Sequence, residues 1–426
     1  MSARTLIAAA IQLDAHERSS FEQVWPQILD RVREALDTGA RLLVLPEGTA
    51  PGYVLGYGAY DGAATQRVLA DCRSLAAQAG AVLIIGAARQ DNSRLLNSAL
   101  VIDTDGSLAG HADKHFLWHF DRQWFAPGES IEPVRTNLGS IGVLVCADGR
   151  IPTIARRLVD RGAEVLAMPT AWVTSGRDPE LLENVQADLL ARVRARENGV
   201  PFIAANKCGV EGGNVLYCGK SQIVGHDGTQ LALASQDRSE IIYGEVHLDA
   251  PRRQRLAPKI YAPAETFAAR RIAISPHTDL ERREERLRIL EADTFVGPGI
   301  SQLDGKRWNV LRVDDEAVTD PGGLPPARAA GHTLAVWETS LEYGWQVTIA
   351  RARALELRMY LVVIDAALPR AYAVDPDGAL LCGTFGTYEL ASFAYDPQRA
   401  AATKVAPGTD VLEGLDRVAA LDRVAT

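Results

Sequence analysis

The sequence lacks the patterns that mark several protein classes. Its five cysteines are an odd number without a C-x-x-C pair, which disfavours a disulfide framework or a zinc site and fits a reducing cytosol. No apolar run reaches the ~18 residues of a membrane span, and no lysine- and arginine-rich run suggests a nucleic-acid or membrane partner. The first apolar run is short and soon followed by acidic residues, which is typical of a buried strand rather than a signal peptide. These absences predict a cytoplasmic protein.

The composition that is present is that of an ordinary globular protein. Of the 426 residues, 47% are hydrophobic and 23% are charged, which excludes a wholly disordered chain or a collagen-like fibre. The formal net charge of −9 is a modest acidity that mainly favours solubility. At roughly 150 residues per domain, the length predicts two to three domains.

Strand-like and helix-like segments alternate in the first part of the chain. Residues 41–45 are a short apolar run that predicts a buried strand, and residues 21–38 space their apolar side chains as a helix does. Further on, the pattern predicts a strand over 143–145 and a long helix over 179–197. This alternation, together with hairpin-like segments, indicates the α/β class with a mixed sheet.

Composition divides the chain into three regions. Residues 1–255 carry the alternating pattern and are predicted to form the first domain. Residues 256–305 contain proline, arginine and a charge-rich helical segment at 279–291, and are predicted to be a linker with a solvated helix. Residues 306–426 are predicted to form a smaller α/β region.

Three reactive side chains follow predicted strands. Glu47 comes after LLVLP, Lys114 lies in HADKHF, and Cys146 ends GVLVC. Strand ends in α/β folds converge on one rim, where a thiol, an ammonium and a carboxylate could serve as nucleophile, oxyanion partner and proton carrier. Each also has a structural alternative as a core cysteine, a loop carboxylate or a surface ion pair. The spacing alone leaves both interpretations open.

Six blocks in order resemble the nitrilase superfamily, the carbon–nitrogen hydrolases, over roughly residues 4–250. The blocks are RLLVLPEG, DKHFLWHFDRQWFAPGE, GVLVCADGRIP, GAEVLAMPTAW, RARENGVPFIAANKCG and the S-x-I-x-x-x-D-G turn at 221–228. The resemblance implies a four-layer αββα sandwich that usually dimerises, and a Glu–Lys–Cys mechanism without metal or organic cofactor.

The resemblance also assigns roles to the three residues. Cys146 would attack the amide carbon, and Lys114 and a backbone N–H after Cys146 would hold the oxyanion. Glu47 would carry protons, and an acyl-thioester on Cys146 would then be hydrolysed. A lysine beside the thiol is expected to depress the pKa of Cys146.

Other positions near the motifs are candidates for lesser roles. Many relatives have a second active-site glutamate where this chain has Asp121, which is one methylene shorter. Asp121 either keeps that positioning role with a small shift, or the role is weakened, or the residue caps a turn. The predicted substrate-binding residues, each as compatible with packing as with recognition, are Tyr53, Trp118, His119 and Trp172. Arg150 is expected to pair with a carboxylate rather than to hold substrate. The loop at 119–125 resembles that of N-carbamoyl-amino-acid amidohydrolases.

The last region repeats part of the first domain in the same order. The matched pairs are 310–315 with 143–148, 331–336 with 162–167, 353–356 with 194–197, and 374–378 with 224–228. Val313 occupies the place of Cys146, and Glu47 and Lys114 have no counterpart. The region is therefore predicted to be a degenerate, catalytically dead half-repeat that either takes the place of a partner subunit or shapes the pocket mouth.

Together these observations predict a hydrolase that cleaves a non-peptide C–N bond of a small amide or N-carbamoyl compound. Its partner would be that small amide or ureido substrate, with no nucleic acid and no membrane. A homodimer is possible, or a pseudo-dimer contact made by the C-terminal region. The alternatives are a true nitrilase acting on a C≡N group and a non-catalytic interaction protein of the nitrilase fold.

Overall fold

The fold is described from a computed structural model, which separates into two compact units. The described residues are 4–56, 60, 62–176, 178, 180–249, 271–275, 310–365, 370–384 and 390–424. Unit 1 comprises residues 1–253, 406–409 and 416–426, and unit 2 comprises residues 254–405 and 410–415.

Fourteen strands form two sheets in the described part of unit 1. They are β1 (Thr5–Asp14), β2 (Leu42–Val44), β3 (Val82–Asp91), β4 (Arg94–Ile102), β5 (Leu108–Asp113), β6 (Val134–Thr136), β7 (Gly139–Val143), β8 (Val165–Pro169), β9 (Phe202–Ala205), β10 (Lys207–Glu211), β11 (Val215–Cys218), β12 (Gln222–Val224), β13 (Gln230–Leu233) and β14 (Glu240–His247). The first sheet has the order β11-β10-β1-β2-β3-β4-β5, with β14 also paired to β1, and the second has the order β13-β12-β9-β8-β7-β6.

The first sheet is covered on both faces. Ala8, Ala9 and Ala10 in β1 are fully buried, so the strand is a continuous apolar run rather than an alternating one. Small side chains on this central strand allow the second sheet to pack against it, and β1 contacts β9 and β12. The two sheets therefore form the inner layers of unit 1.

Helices supply the two outer layers. They are α1 (Phe21–Asp37), α2 (Ala63–Ala79), α3 (Pro152–Asp160) and α4 (Ala191–Asn198). Helix α1 buries Phe21, Trp25, Ile28 and Val32, one apolar stripe at helical spacing. Helices α1 and α2 pack on the first sheet, and α3 and α4 pack on the second. The αββα sandwich predicted for this part of the chain is confirmed.

Two predicted elements have different bounds in the structure. The strand predicted over 143–145 is Gly139–Val143, and the chain then enters a 3₁₀ turn at Cys146–Arg150. The helix predicted over 179–197 begins later, with a π-helical turn at Gln186–Leu190 that leads into α4. Asn184 Oδ1 accepts the backbone N–H of Gln186 at 2.9 Å, and such side-chain capping sets a helix start that apolar spacing does not reveal.

The remaining elements follow in chain order. They are β15 (Arg271–Ser275), β16 (Val310–Val313), α5 (Asp315–Thr319), α6 (Pro325–Ala329), β17 (Leu334–Thr339), α7 (Tyr343–Leu357), β18 (Tyr360–Asp365), β19 (Ala371–Val374), β20 (Leu380–Thr384), β21 (Leu390–Ala394), α8 (Pro397–Ala401), β22 (Lys404–Ala406), β23 (Thr409–Asp410) and α9 (Val411–Val424). Apart from β15, the predicted linker at 256–305, with its helix at 279–291, lies outside the described residues.

Unit 2 has its own five-stranded sheet, β16-β17-β18-β19-β20. Its first two pairings are parallel and its last two are antiparallel. The same succession joins β7, β8, β9, β12 and β13 in unit 1. The half-repeat stays a prediction, which this shared succession supports. A homodimer or a pseudo-dimer contact also stays a prediction.

Helix length and composition bear on membrane association. Among the residues that the structure describes, none of the helices combines the length and the apolar character that crossing a bilayer requires.

Candidate active site

The three motif residues each follow a strand of unit 1. Glu47 comes shortly after β2, Lys114 directly after β5, and Cys146 shortly after β7. Glu47 and Lys114 are fully buried, and Cys146 is 6% exposed. The ion pair between Glu47 and Lys114, and the influence of both on the Cys146 thiol, place the three residues at one site.

Lys114 lies between two carboxylates. Its Nζ is 2.7 Å from Glu47 Oε1 and 2.6 Å from Asp121 Oδ2. A buried ammonium is costly unless it is paired, and here it has two partners. Burial acts against the charge, but Asp121 and Glu47 outweigh it and raise the pKa of Lys114 well above its ordinary value. Lys114 is therefore a fixed positive charge at neutral pH.

Asp121 reaches Lys114 even though its side chain is shorter than a glutamate. It lies in the 3₁₀ turn His119–Gln123, and its Oδ2 also accepts the backbone N–H of Trp118 at 2.8 Å. Its Oδ1 accepts the hydroxyl of Tyr53, also at 2.8 Å. The turn and these two hydrogen bonds hold the carboxylate against the ammonium.

The two oxygens of Glu47 have different surroundings. Oε1 accepts from Asn97 Nδ2 at 2.6 Å and from Lys114 Nζ. Oε2 is buried, and no hydrogen bond of normal geometry reaches it from the described residues. The Cys146 thiol nevertheless lies close enough to act on the Glu47 carboxyl. Oε2 is therefore the Glu47 oxygen that the described residues leave without a hydrogen-bond donor.

The pKa of the Cys146 thiol differs from the sequence prediction. Lys114 was predicted to depress this pKa, and that prediction is wrong. Burial, followed by the negative charge of Glu47, raises the pKa of Cys146, and Lys114 offsets only part of the increase. Burial, opposed by Lys114, also raises the pKa of Glu47 above its ordinary value. The site at rest holds a protonated thiol beside a base whose proton affinity is increased, rather than a free thiolate.

The backbone at Cys146 is held in an uncommon conformation. Its φ of 47° lies in the left-handed region, which non-glycine residues seldom occupy outside sites where surrounding contacts impose it. With its amide assigned to suit both neighbours, Gln186 donates to the Cys146 carbonyl at 2.9 Å and accepts from Trp172 Nε1 at 3.2 Å. These contacts fix the sulfur at the start of the 3₁₀ turn.

Asp148 ties two parts of the site together. Its Oδ1 accepts the backbone N–H groups of His115 at 3.0 Å and Phe116 at 2.7 Å. Its Oδ2 accepts the N–H of Val145 at 3.2 Å. The residues after Lys114 and the residue before Cys146 therefore share one buried carboxylate. Neither Asp148 nor Asn97 was among the site residues predicted from the sequence.

The predicted substrate-binding residues lie in different surroundings. Tyr53 is 2% exposed and Trp172 is 1% exposed, and both are engaged in the polar network around the site. Trp118 is half-buried, and the side chain of His119 is exposed. Trp118 and His119 are thus the two that retain accessible side-chain surface.

Arg150 ends the 3₁₀ turn that begins at Cys146. Its Cζ lies 4.5 Å from the centroid of the Trp118 ring, a cation–π contact. The prediction that a carboxylate pairs with Arg150 is wrong for the described part of the chain. No ion pair or hydrogen bond from these residues reaches the Arg150 side chain, and its Nε is buried without an acceptor. Burial lowers the pKa of Arg150 to about 10, so it carries a positive charge at neutral pH.

The side chains that commonly ligate metals are distributed along the described chain. Within the described ranges, histidine, cysteine, aspartate and glutamate side chains form no group of three or more that could hold a metal ion. The titratable groups of the site instead satisfy one another, as the contacts of Lys114 show.

The chain is similar in sequence to known hydrolases. A family model for carbon–nitrogen hydrolases matches residues 7–255. A Pseudomonas protegens protein named "Hydrolase in pqqF 5'region" is 34% identical over 48% of this chain and 71% of its own length. An N-carbamoylputrescine amidase of Solanum lycopersicum is 28% identical over 44% of this chain and 67% of its own length.

A solved structure is similar as well. The crystal structure of an amidase from Nesterenkonia sp. superposes with a TM-score of 0.52 at 25% identity, covering 58% of this chain and 92% of that one. The family match extends over more than half of the 426 residues and contains Glu47, Lys114 and Cys146. The chain therefore belongs to the carbon–nitrogen hydrolases, the enzymes of the nitrilase superfamily.

Proposed function

We propose that this enzyme hydrolyses a small amide or N-carbamoyl compound through a thioester on Cys146. The observation that carries the proposal is the buried Lys114 ammonium held between Glu47 and Asp121 beside the thiol. Such an arrangement suits a reaction in which negative charge develops on a carbonyl oxygen, because a fixed cation stabilises the transition state more than the neutral substrate.

The first half-reaction forms the thioester. Glu47 Oε2 takes the thiol proton as the sulfur of Cys146 attacks the carbonyl carbon. Lys114 and the backbone N–H that follows Cys146 hold the oxyanion. When the oxyanion collapses, the C–N bond breaks and Glu47 returns its proton to the departing nitrogen, so that ammonia or an amine leaves.

The second half-reaction releases the acid. Glu47 removes a proton from water, and the hydroxide formed attacks the thioester carbon to give a second oxyanion at the same place. Collapse breaks the C–S bond, and the proton on Glu47 returns to the sulfur. Asp121, through its contacts with Lys114 and Tyr53, keeps the ammonium oriented in both halves.

Arg150 favours a substrate that carries a negative group. The guanidinium of Arg150 has a buried Nε without an acceptor and no carboxylate partner among the described residues, so it can be satisfied by a bound anion. Guanidinium groups pair with carboxylates in a planar, two-pronged geometry. We therefore propose an N-carbamoyl amino acid or an amide bearing a carboxylate, in preference to a cationic ureido amine.

Replacing Arg150 with methionine tests the substrate class. We expect KM for N-carbamoyl-β-alanine to rise about 10- to 100-fold with a smaller change in kcat, because a charge-assisted contact to the substrate is lost. Propylurea, which has no carboxylate, serves as the matched substrate and should show no such increase. Equal effects on both ureas, or a preference for N-carbamoylputrescine in the unaltered enzyme, would contradict the assignment.

Replacing Asn97 with leucine tests the assignment of the base. Asn97 donates to Glu47 and so favours its carboxylate form. Without that donor the pKa of Glu47 rises further, and the base is lost at a higher pH as the solution is acidified. We expect the acidic limb of the pH profile of kcat/KM to move to higher pH, and kcat/KM at neutral pH to fall about 10-fold.

Ser98→Ala is the control for this variant. Ser98 is the next residue of β4, and its hydroxyl donates to Asp113 instead of Glu47. The pH profile of kcat/KM for the Ser98→Ala variant should match that of the unaltered enzyme. An Asn97→Leu profile with an unmoved acidic limb would remove Glu47 from the role of base.

A comparison of substrate classes distinguishes an amidase or N-carbamoyl hydrolase from a true nitrilase. Turnover of nitriles with little turnover of amides and ureas would indicate a true nitrilase instead. Ammonia release from amides and ureido acids, measured under one set of conditions with the corresponding nitriles, is the deciding comparison.

A further inference from the structure

The C-terminal end of the chain is part of unit 1. Residues 406–409 and 416–426 cluster with residues 1–253, although the family match ends at residue 255. Thr409 is fully buried, and its Oγ1 accepts the backbone N–H of His119 at 2.7 Å. A residue far along the sequence thus supplies a hydrogen bond to the turn that carries Asp121.

The same C-terminal residues contact a second point of that loop. Arg417 donates to the carbonyl of Gly128 at 2.9 Å. Gly128 in turn donates its N–H to the carbonyl of Lys114 at 2.8 Å. Arg157 of α3 donates to the carbonyl of Val418 at 2.8 Å, which fixes the segment to the body of unit 1.

These contacts span the loop 114–128. Lys114 begins the loop and Gly128 ends it, and Asp121 lies between them. His119 has a φ of 47°, a conformation that a non-glycine residue keeps only when its surroundings impose it. A backbone N–H that loses its acceptor is costly to leave unpaired away from water, so the loop would rearrange rather than keep this conformation.

We propose that the C-terminal residues 406–409 and 416–424 brace the loop 114–128, and that Thr409 is a positioning residue for the Asp121–Lys114 pair. The inference rests on the proposed function in which Lys114 holds the oxyanion. It assigns to the end of the chain a part in the active site, acting through His119 without contact with substrate.

Thr409→Val tests the inference, because valine has nearly the volume of threonine and cannot accept a hydrogen bond. We expect kcat to fall about 10-fold, since the oxyanion partner is displaced, and KM to change less than kcat. We also expect faster amide hydrogen exchange in peptides covering 114–128. Thr409→Ser keeps the hydroxyl that accepts the hydrogen bond. Its kcat and its rate of amide hydrogen exchange over 114–128 should lie within about 2-fold of those of the unaltered enzyme.

The two readouts separate this inference from the proposed function. Unchanged hydrogen exchange in Thr409→Val overturns the brace, whether or not the enzyme turns over any amide. Faster hydrogen exchange with unchanged kcat in Thr409→Val overturns the positioning role. An equal loss of kcat in Thr409→Val and Thr409→Ser overturns it as well. Absence of amide and urea turnover in the unaltered enzyme would instead overturn the proposed function, and exchange alone would then decide whether the brace exists.

Discussion

Replacing Cys146 with alanine is expected to abolish turnover. Removal of a nucleophile on which both half-reactions depend lowers kcat by about 10⁴-fold or more, since only substrate binding and the oxyanion partners remain. The rest of the site should persist, because the contacts of Lys114 with Glu47 and Asp121 do not involve the sulfur. Ammonia release from amides and ureido acids measures the loss.

A second measurement tests the thioester itself. A slowly hydrolysed substrate should add its acyl mass to the unaltered protein, and peptide mapping should place it on the peptide that contains Cys146. Cys146→Ala should show no such adduct. The protonated resting thiol implied by the raised pKa of Cys146 further predicts that the adduct forms more slowly in Glu47→Gln.

Cys72→Ala is the matched control. Cys72 is also buried and has a pKa raised to about 12 by burial, but it lies on the core-facing side of α2. Its replacement should cost about 1 kcal/mol of stability and leave kcat nearly unchanged. A Cys146→Ala enzyme with kcat within about 10-fold of the unaltered protein would refute covalent catalysis by this residue.

The sequence indicated the principal site residues because their motifs are local. PEG, DKHF and VCADG are short segments at strand ends, and the resemblance to one family relates them to one another. The four-layer fold of unit 1 followed from the same resemblance. Asn97 and Asp148 were missed because the contacts that connect them to the site are distant in the chain. Asn97 appears as one polar residue in NSALVID, and its contact with Glu47 arises only when β4 pairs with β3. Asp148 reaches the residues after Lys114 only in the folded chain.

The direction of the Cys146 pKa shift could not be predicted from the motifs. The sequence shows that Lys114 is charged, but it does not show how deeply the Cys146 thiol is buried. Burial, followed by the negative charge of Glu47, penalises the thiolate more than the Lys114 ammonium stabilises it. In the proposed mechanism the raised pKa makes the predicted role of Glu47 as proton carrier necessary for attack, whereas the expected depression of the thiol pKa by Lys114 is absent.

The C-terminal region was only partly predictable for a similar reason. The buried pair Arg353–Glu356 on α7 corresponds to the buried pair Arg194–Glu197 on α4 in the predicted alignment. The two arginines also donate through Nε to a backbone carbonyl, that of Val318 in one unit and of Gly149 in the other. This supports the predicted half-repeat. The hydrogen bond between Thr409 and His119, by contrast, has no local signal.

Replacing Lys114 with methionine is expected to affect both catalysis and stability. Loss of the oxyanion partner should lower kcat by about 10³-fold. Glu47 and Asp121 would then lie buried without their cation, which should reduce the free energy of unfolding by about 3–5 kcal/mol at neutral pH. Ammonia release and urea denaturation measure the two effects separately.

The pH dependence of that stability loss has a definite sign. Burial already raises the pKa of Glu47, and without the Lys114 ammonium the charge that opposes this increase is lost. A carboxyl group whose pKa is raised on folding destabilises the native state as the pH rises through the carboxyl range, and it destabilises least when it is protonated. Lys114→Met should therefore differ least from the unaltered protein in acid and most at neutral pH.

Lys207→Met separates the chemical effect from the structural one. Lys207 is as deeply buried as Lys114 and pairs with Glu211 at 2.8 Å, but Glu211 holds the backbone of Tyr53 and does not contact Glu47 or Asp121. We expect a similar stability loss with a much smaller fall in kcat. In the proposed mechanism only the Lys114 ammonium contacts the oxyanion, so Lys114→Met should lose more kcat than Lys207→Met. An equal loss of kcat in two variants of equal stability would show that the effect of Lys114 is structural.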